Sequence, residues 1–277
     1  MIKSERGLLS VKRTCTLLEV SASGYYSWMR KPAVIKPDVA GILVLRVFYQ
    51  SHCIYGVRRI RRALWRSDYF FSEATIRNRM KRYGLIAKAS KKYKATTNSK
   101  HNLPVSPNLL NQDFVAHKIN QAWVTDFTYI WTGDGWSYLA VVVDLYSRKV
   151  VGWHIAARMT KELVSSALKM AVRNRKPPAD LIIHSDRGSQ YCSREYQSLL
   201  ETYKMISSMS KKGDCYDNAC AESFFHSLKV EWLHGVSISS RTECFSKVQH
   251  YIEVFFNNQR LHSYLNYSTP TAFEAAA

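Results

Sequence analysis

Asp126, Asp186 and Glu222 are the residues whose types and settings could do chemistry together. Asp126 interrupts the apolar run Ala122-Trp123-Val124-Thr125-Asp126-Phe127-Thr128-Tyr129-Ile130, and Asp186 ends another, Leu181-Ile182-Ile183-His184-Ser185-Asp186. An acid inside a strand weakens the strand, and a buried carboxylate without a partner is costly. Two acids at such positions imply something positive that holds them there. Paired divalent cations are the economical answer, because hard cations take carboxylate oxygens. Glu222 lies in a helix-like stretch, and Lys229 follows it about two turns along the same face.

The elements that must position these acids can be read from periodicity. Apolar runs at 122–131, 136–146 and 149–157 read as strands, the first two joined by Gly133-Asp134-Gly135, a hairpin signal, and the next turn made by Ser147-Arg148-Lys149. Residues 160–174 read as a helix with Leu163, Ala167, Met170 and Ala171 on one stripe, stopped by Pro177-Pro178. A strand at 180–186, a helix at 193–203, a short strand at 205–209 and a long helix at about 216–233 follow. Three antiparallel strands and then alternating helix and strand predict a mixed sheet with helices packed on it.

The N-terminal part reads as helical and basic. Residues 7–30 look like two short helices around a turn: Leu9, Cys15 and Leu18 lie in the first, Val20-Ser21-Ala22-Ser23-Gly24 supplies turn and cap chemistry, and Tyr25, Tyr26 and Trp28 follow. This has helix-turn-helix texture. Pro32 and Pro37 then break helix in a short linker. Within 38–87, Val57, Ile60 and Leu64 form an apolar stripe, and Ile76, Met80 and Tyr83 make a second inner face in a helix capped by Ser72 and ended by Gly84. Arg58, Arg59, Arg62, Arg77, Lys81 and Arg82 crowd the remaining surfaces. Residues 88–113 lose all period and carry Lys88, Lys91, Lys92, Lys94 and Lys100, which reads as a basic linker ordered by its partner. The expected units are thus a helix-turn-helix-like segment at 1–31, a basic helical DNA-binding unit at 38–87, a linker at 88–117, and a catalytic core with a C-terminal helical extension at 118–277.

Charge identifies the partner. The chain carries a formal +19, and residues 1–100 hold 22 Lys+Arg against five acids while residues 101–277 hold 18 against 16. Such concentrated charge opposes compaction unless a polyanion offsets it. Nucleic acid suits it better than a membrane, since no helix with a large apolar face accompanies the charge and no apolar stretch reaches the length of a span. With 46% apolar residues a packed core is expected rather than disorder. The six cysteines form no Cys-x-x-Cys pair. Cys215, Cys220 and His226 lack a fourth zinc ligand at familiar spacing, so reduced structural thiols in an intracellular compartment are expected.

Finer motifs narrow the reading: Trp123-Val124-Thr125-Asp126, Val143-Asp144-Leu145-Tyr146-Ser147-Arg148-Lys149, His184-Ser185-Asp186-Arg187-Gly188-Ser189-Gln190-Tyr191, Gly213-Asp214-Cys215-Tyr216-Asp217-Asn218-Ala219, Glu222-Ser223-Phe224-Phe225 and Asn258-Gln259-Arg260-Leu261-His262. With 35 residues (187 to 221) between the last two acids, the chain resembles the second-frame, OrfB-type DDE transposases of bacterial insertion sequences, which share their core with retroviral integrases. It departs from the family pattern only at Ile119 and at Phe255-Phe256-Asn257-Asn258, away from the acids. The resemblance implies an α/β fold, a ribonuclease-H-like mixed sheet with flanking helices, preceded by small all-α helix-turn-helix DNA-binding regions. It also implies a Mg2+-dependent transposase with two ions per active site, replaceable by Mn2+, held by Asp126, Asp186 and Glu222. The partners implied are double-stranded DNA, further copies of the chain in a dimer or larger synaptic assembly, and an upstream-frame subunit or fusion. A bacterial cytoplasmic, nucleoid-associated location follows from the same reading.

Neighbouring residues are assigned lesser parts. Lys229 is expected on a phosphate near the acids, and Arg187, Lys211, Lys212 and Asn218 flank them as DNA contacts. Asp144 reads as structural, pairing with an arginine such as Arg148 or capping its turn. Asp214 and Asp217 are expected to cap the Glu222 helix. His184 reads as a packed, satisfied histidine rather than a base. Two rival functions remain at this point: a nuclease of the same fold that never joins strands, and a DNA-binding regulator with an inactive core.

Overall fold

The computed structural model describes residues 10–30, 37–88, 104–211 and 218–277. Two short helices, α1 (Val11–Leu17) and α2 (Ala22–Arg30), pack on each other. Ser10 caps the first through the Arg13 amide. The Ser21 hydroxyl accepts from Gly24 N at 3.2 Å, so Ser23 and Gly24 lie inside α2 rather than in the turn before it.

Helices α3 (Val39–Gln50), α4 (Val57–Trp65) and α5 (Glu73–Arg82) form a three-helix unit around Val44, Phe48, Ile60, Leu64, Ile76 and Met80. The stripe read from sequence is the buried face of α4, and Ser72 caps α5 by accepting from Thr75 N. Asp38 caps α3 through Gly41 N at 3.1 Å and pairs with Arg79 at 2.7 Å, tying the start of this unit to its last helix.

The segment expected to order only on its partner is partly built into the fold. Leu109 N donates to Ser208 Oγ at 2.9 Å, Met209 N donates to Pro107 O at 3.2 Å, and Leu110 is buried. An edge strand offers unpaired backbone groups, and this stretch of chain meets them.

Five strands make one sheet in the order β3-β2-β1-β4-β5. β1 (Ala122–Thr132), β2 (Gly135–Asp144) and β3 (Val150–Ala156) run antiparallel, whereas β4 (Ile182–Ser185) and β5 (Ile206–Met209) continue from β1 in parallel. The parallel additions require crossovers, supplied by α6 (Lys161–Arg175) and α7 (Arg194–Thr202). This is the mixed sheet that the alternation of elements predicts and the ribonuclease-H-like sheet that the resemblance implies.

Strand alternation sorts the core into two sides. Trp123, Ala140 and Val142 face α6 and α7, whose Leu163, Ala167, Leu168, Tyr196 and Leu200 are buried there. Val124, Leu139, Val141 and Val143 face α8 (Ala219–Ser227), α9 (Arg241–Gln249) and the C-terminal segment, through Phe224, Leu228, Val248 and Tyr251. That second cluster runs on without a break into the core of the three-helix unit. The chain ends in α10 (Pro270–Ala275), whose Glu274 pairs with Arg175 at 2.7 Å and Lys149 at 3.0 Å.

The long helix expected at 216–233 is not uniform. After α8 the backbone widens into a π-helical stretch, Leu228–Leu233, and a second such stretch, His250–Phe256, follows α9. Asp214 and Asp217, expected as caps, lie outside the described residues; the N-cap position of α8 is Asn218, which makes no side-chain cap bond.

Candidate active site

The sheet register brings the two aspartates together. β1 and β4 are parallel neighbours with Val124 opposite His184. Two residues further along each chain, on the same face by the strand period, come Asp126 and Asp186, the latter just past the end of β4. Helix α8 packs on β1 and carries Glu222 towards them.

The three carboxyls share one electrostatic field. Asp126 is held well above the usual carboxylate range, first by desolvation, then by the charge of Asp186, with Glu222 adding in the same sense. The Phe127 amide, donating to Asp126 Oδ1 at 2.8 Å, and the Lys229 ammonium pull the other way without winning. Burial also raises Glu222. Asp186 Oδ1 accepts from Gly188 N at 2.9 Å, which fixes the turn after β4. Among the described residues, no three His, Cys, Asp or Glu side chains stand in ready-made metal-ligand geometry. Like charges brought near one another repel unless a cation lies between them. In donor type and in surplus negative charge the residues fit a hard divalent cation.

Lys229 joins this group from the π-helical stretch. Its Nζ lies 4.8 Å from the Tyr129 ring centre, and burial lowers its pKa while the charge of Asp126 opposes that. Tyr129 belongs to an exposed aromatic cluster at the end of the β1–β2 hairpin, with ring centres 5.1 Å from Tyr129 to Trp136 and 4.8 Å from Trp131 to Trp136. The sequence reading missed this cluster. Its signal was present, because Tyr129 and Trp131 alternate on one face and Trp136 pairs directly with Trp131.

The structure places the expected DNA contacts in different surroundings. Arg58, Arg77, Lys81, Arg82 and Lys211 are exposed, although Arg82 also reaches Asp38 at 3.7 Å and Arg77 reaches Glu73 at 4.0 Å. Arg59 instead turns inward onto Glu231 at 3.3 Å, because a buried carboxylate there needs a partner. Arg62 lies half-buried over the Trp65 and Tyr267 rings, at 5.2 Å and 5.1 Å. Asn218 is buried with its amide 3.5 Å from Thr125 O, so it faces β1 and not an open surface. Arg187 is half-buried and donates from Nε to Ser210 O at 2.6 Å. Lys91, Lys92 and Lys212 lie outside the described residues.

Two structural assignments are met in altered form. Asp144 is buried and caps its turn by accepting from Tyr146 N at 2.9 Å and Ser147 N at 3.3 Å. Its arginine is Arg175, at 3.5 Å, rather than Arg148, which turns away to Phe114 O at 3.1 Å and to Cys220 Sγ. His184 is fully buried, with Nδ1 2.8 Å from Ser208 Oγ and Nε2 3.3 Å from Ser210 Oγ, a packed histidine.

A mixed sheet in this order, with one acid inside β1, one just past the end of the parallel neighbour β4 and one on the helix packed against β1, defines an integrase-type catalytic core. Sequence comparison agrees: an integrase core domain matches at residues 116–215 and again at 222–276, and an HTH-like domain matches at 39–93. The chain is 44% identical to the transposase InsF for insertion sequence IS3A of Escherichia coli (strain K12), covering 99% of this chain and 96% of that protein. It is also 44% identical to the uncharacterized 31 kDa protein of insertion element IS600 of Shigella sonnei, over 94% of this chain and 96% of that one. The chain belongs to the IS3 family of insertion-sequence transposases. Among solved structures, a chain of the simian T-cell lymphotropic virus intasome in complex with PP2A regulatory subunit B56 gamma matches at 16% identity and a TM-score of 0.49, covering 83% of this chain and 74% of that one.

Proposed function

We propose that this transposase cleaves the ends of its own insertion sequence to free 3′-hydroxyls and joins them to target DNA, with Asp126, Asp186 and Glu222 as ligands for two Mg2+ ions that Mn2+ can replace. The observation that carries the reading is the placement of Asp126 and Asp186 two residues beyond a paired position on neighbouring parallel strands, with Glu222 on the helix packed against β1. Ions bound there would supply an activated oxygen nucleophile and charge relief on the leaving oxygen. Asp126, Asp186 and Glu222 would hold the ions between them. Lys229, between Asp126 and the Tyr129 ring, orients a phosphate of the reacting strand. Joining reuses the same site with the freed 3′-hydroxyl, so no Ser or Tyr nucleophile is required.

The units at 1–31 and 38–87, with the linker at 88–117, hold the duplex for the core at 118–277. Arg58, Arg77, Lys81, Arg82 and Lys211 contact its phosphates. Synapsis of two ends calls for a dimer or larger assembly, with an upstream-frame subunit or fusion for end recognition, working on the nucleoid in the cytoplasm. Among the described residues no helix is long and apolar enough to cross a membrane.

The test is Glu222→Gln assayed on duplexes carrying the element's ends and on pre-cut ends with target DNA. Mg2+-dependent cleavage should fall at least about a hundredfold with DNA affinity nearly unchanged, a loss of the size seen when a transition-state charge partner is removed. Cleavage that survives the substitution would defeat the metal assignment. Wild-type protein that hydrolyses pre-cut ends but yields no joined product would defeat the transposition chemistry.

A further inference from the structure

A cavity of about 300 Å³ opens beside α8 and is lined by Ser223, the residue after Glu222. Three guanidinium groups from distant parts of the chain line it: Arg59 of α4, Arg148 of the β2–β3 turn and Arg260 of the C-terminal segment. One carboxylate serves two of them. Glu231 meets Arg260 at 2.6 Å and Arg59 at 3.3 Å. Among the described residues no carboxylate lies within ion-pair distance of Arg148, whose guanidinium sits 4.0 Å from the Tyr264 ring centre. His262 adds no charge of its own, since burial and the Arg260 charge push it well below its ordinary value. The wall therefore holds a surplus of positive charge in a half-closed space.

We propose that this cavity binds a backbone phosphate of DNA held by the core, a reading that rests on the function proposed above. Guanidinium forks match a phosphate oxyanion in shape and charge. Arg59 makes one hydrogen bond among the described residues, to Glu231, and has further N–H groups to offer. Ser263 is exposed and lines the opening, where a hydroxyl can donate to a phosphate oxygen. The cavity draws its arginines from the helical unit, the sheet and the C-terminal segment. A phosphate seated there would hold the strand against the element that carries Glu222 and register the three parts on one duplex.

The experiment measures binding of a labelled duplex carrying the element's end by fluorescence anisotropy across a salt series. It compares wild-type protein with Arg148→Gln and with Ser263→Asp, the second placing a carboxylate at an exposed lip and leaving the interior intact. Each variant should bind roughly five- to tenfold more weakly. Arg148→Gln should also flatten the plot of log affinity against log salt by about 0.9, the increment for one phosphate contact. Both variants binding with wild-type affinity and slope would overturn the proposal while the wild type still bound DNA. No binding by the wild type would overturn the functional reading, and this proposal with it. A third arm adds inorganic phosphate during thermal melting. Stabilisation of the wild type but not of Arg148→Gln, with DNA affinity unchanged in both variants, would assign the cavity to a small free anion and overturn the DNA assignment.

Discussion

The carboxyl of Asp126 is the residue from which pH and metal responses follow. Its pKa in the folded chain lies well above the ordinary carboxylate range, chiefly through desolvation and the Asp186 charge, so the folded state holds this proton more tightly than the unfolded one. The associated stability is fully present below the unfolded value and is lost as pH rises through the folded one. At neutral pH, without divalent cations, the carboxyl of Asp126 costs the fold stability. Asp126→Asn should therefore stabilise the metal-free protein at neutral pH by about 1 kcal/mol, or roughly 2–4 °C in melting temperature. The gain should shrink as pH falls towards the unfolded value, and Mg2+ should raise the melting temperature of the wild type but not of the variant. Melting curves across pH with and without Mg2+ read both effects, and identical pH profiles for the two proteins would refute the account. The acids themselves were legible in the sequence because a charge inside an apolar run stands out against its neighbours. The partner of Asp144 was not, since Arg175 lies 31 positions away and competes with the nearer Arg148.

At the scale of elements, the close approach of β3 and α6 is set by small residues. A Cβ on Gly152 would lie 2.3 Å from Ala167 O and 2.6 Å from Ala171 N, both backbone atoms that cannot swing aside. Ala167 and Ala171 are themselves fully buried at a four-residue interval facing that strand. Gly152→Ala should push α6 off the sheet and cost about 3 kcal/mol, the upper end for overpacking. Urea unfolding should show a lowered midpoint with an unchanged slope, and an unchanged midpoint would mean that the helix yields freely. The stripe along α6 was visible in the sequence, but the depth at which it packs was not. The π-helical widening after α8 was equally hidden. It leaves Lys229 beside Tyr129 while Glu231 turns into the interior, an arrangement that residue spacing on a regular helix does not predict.

At the scale of the whole molecule, Glu231 fastens the helical unit to the core. It takes Arg59 from α4 and Arg260 from the C-terminal segment, accepts from the Tyr251 hydroxyl at 3.1 Å, and its backbone carbonyl accepts from Lys88 Nζ at 2.7 Å. Tyr55 adds a second tie, donating to Gln259 O at 3.0 Å and accepting from Leu261 N at 2.8 Å. Glu231→Leu leaves the buried Arg260 and the half-buried Arg59 without a counter-charge and should cost about 3 kcal/mol, the lower end for breaking a buried pair. Replacing Arg59 and Arg260 by Met in the same chain should restore most of that loss, because packed apolar groups replace the whole ion cluster. Chemical denaturation of the single and triple variants decides it. A triple variant no more stable than the single one would show that the cluster does more than neutralise itself.

By itself the sequence marked most of the elements and their order, singled out three acids, and carried the basic surplus of the first hundred residues. All of these rest on local pattern: strand and helix periods, a hairpin signal, charges misplaced in apolar runs. Only the tertiary structure decided which arginines face solvent. Arg59 reads as one more basic helix residue, yet it is drawn inward by a carboxylate 172 positions away. The cavity formed by Arg59, Arg148 and Arg260 was invisible for the same reason. A charge's environment is fixed by what folds against it, and contacts between distant segments leave no period in the chain.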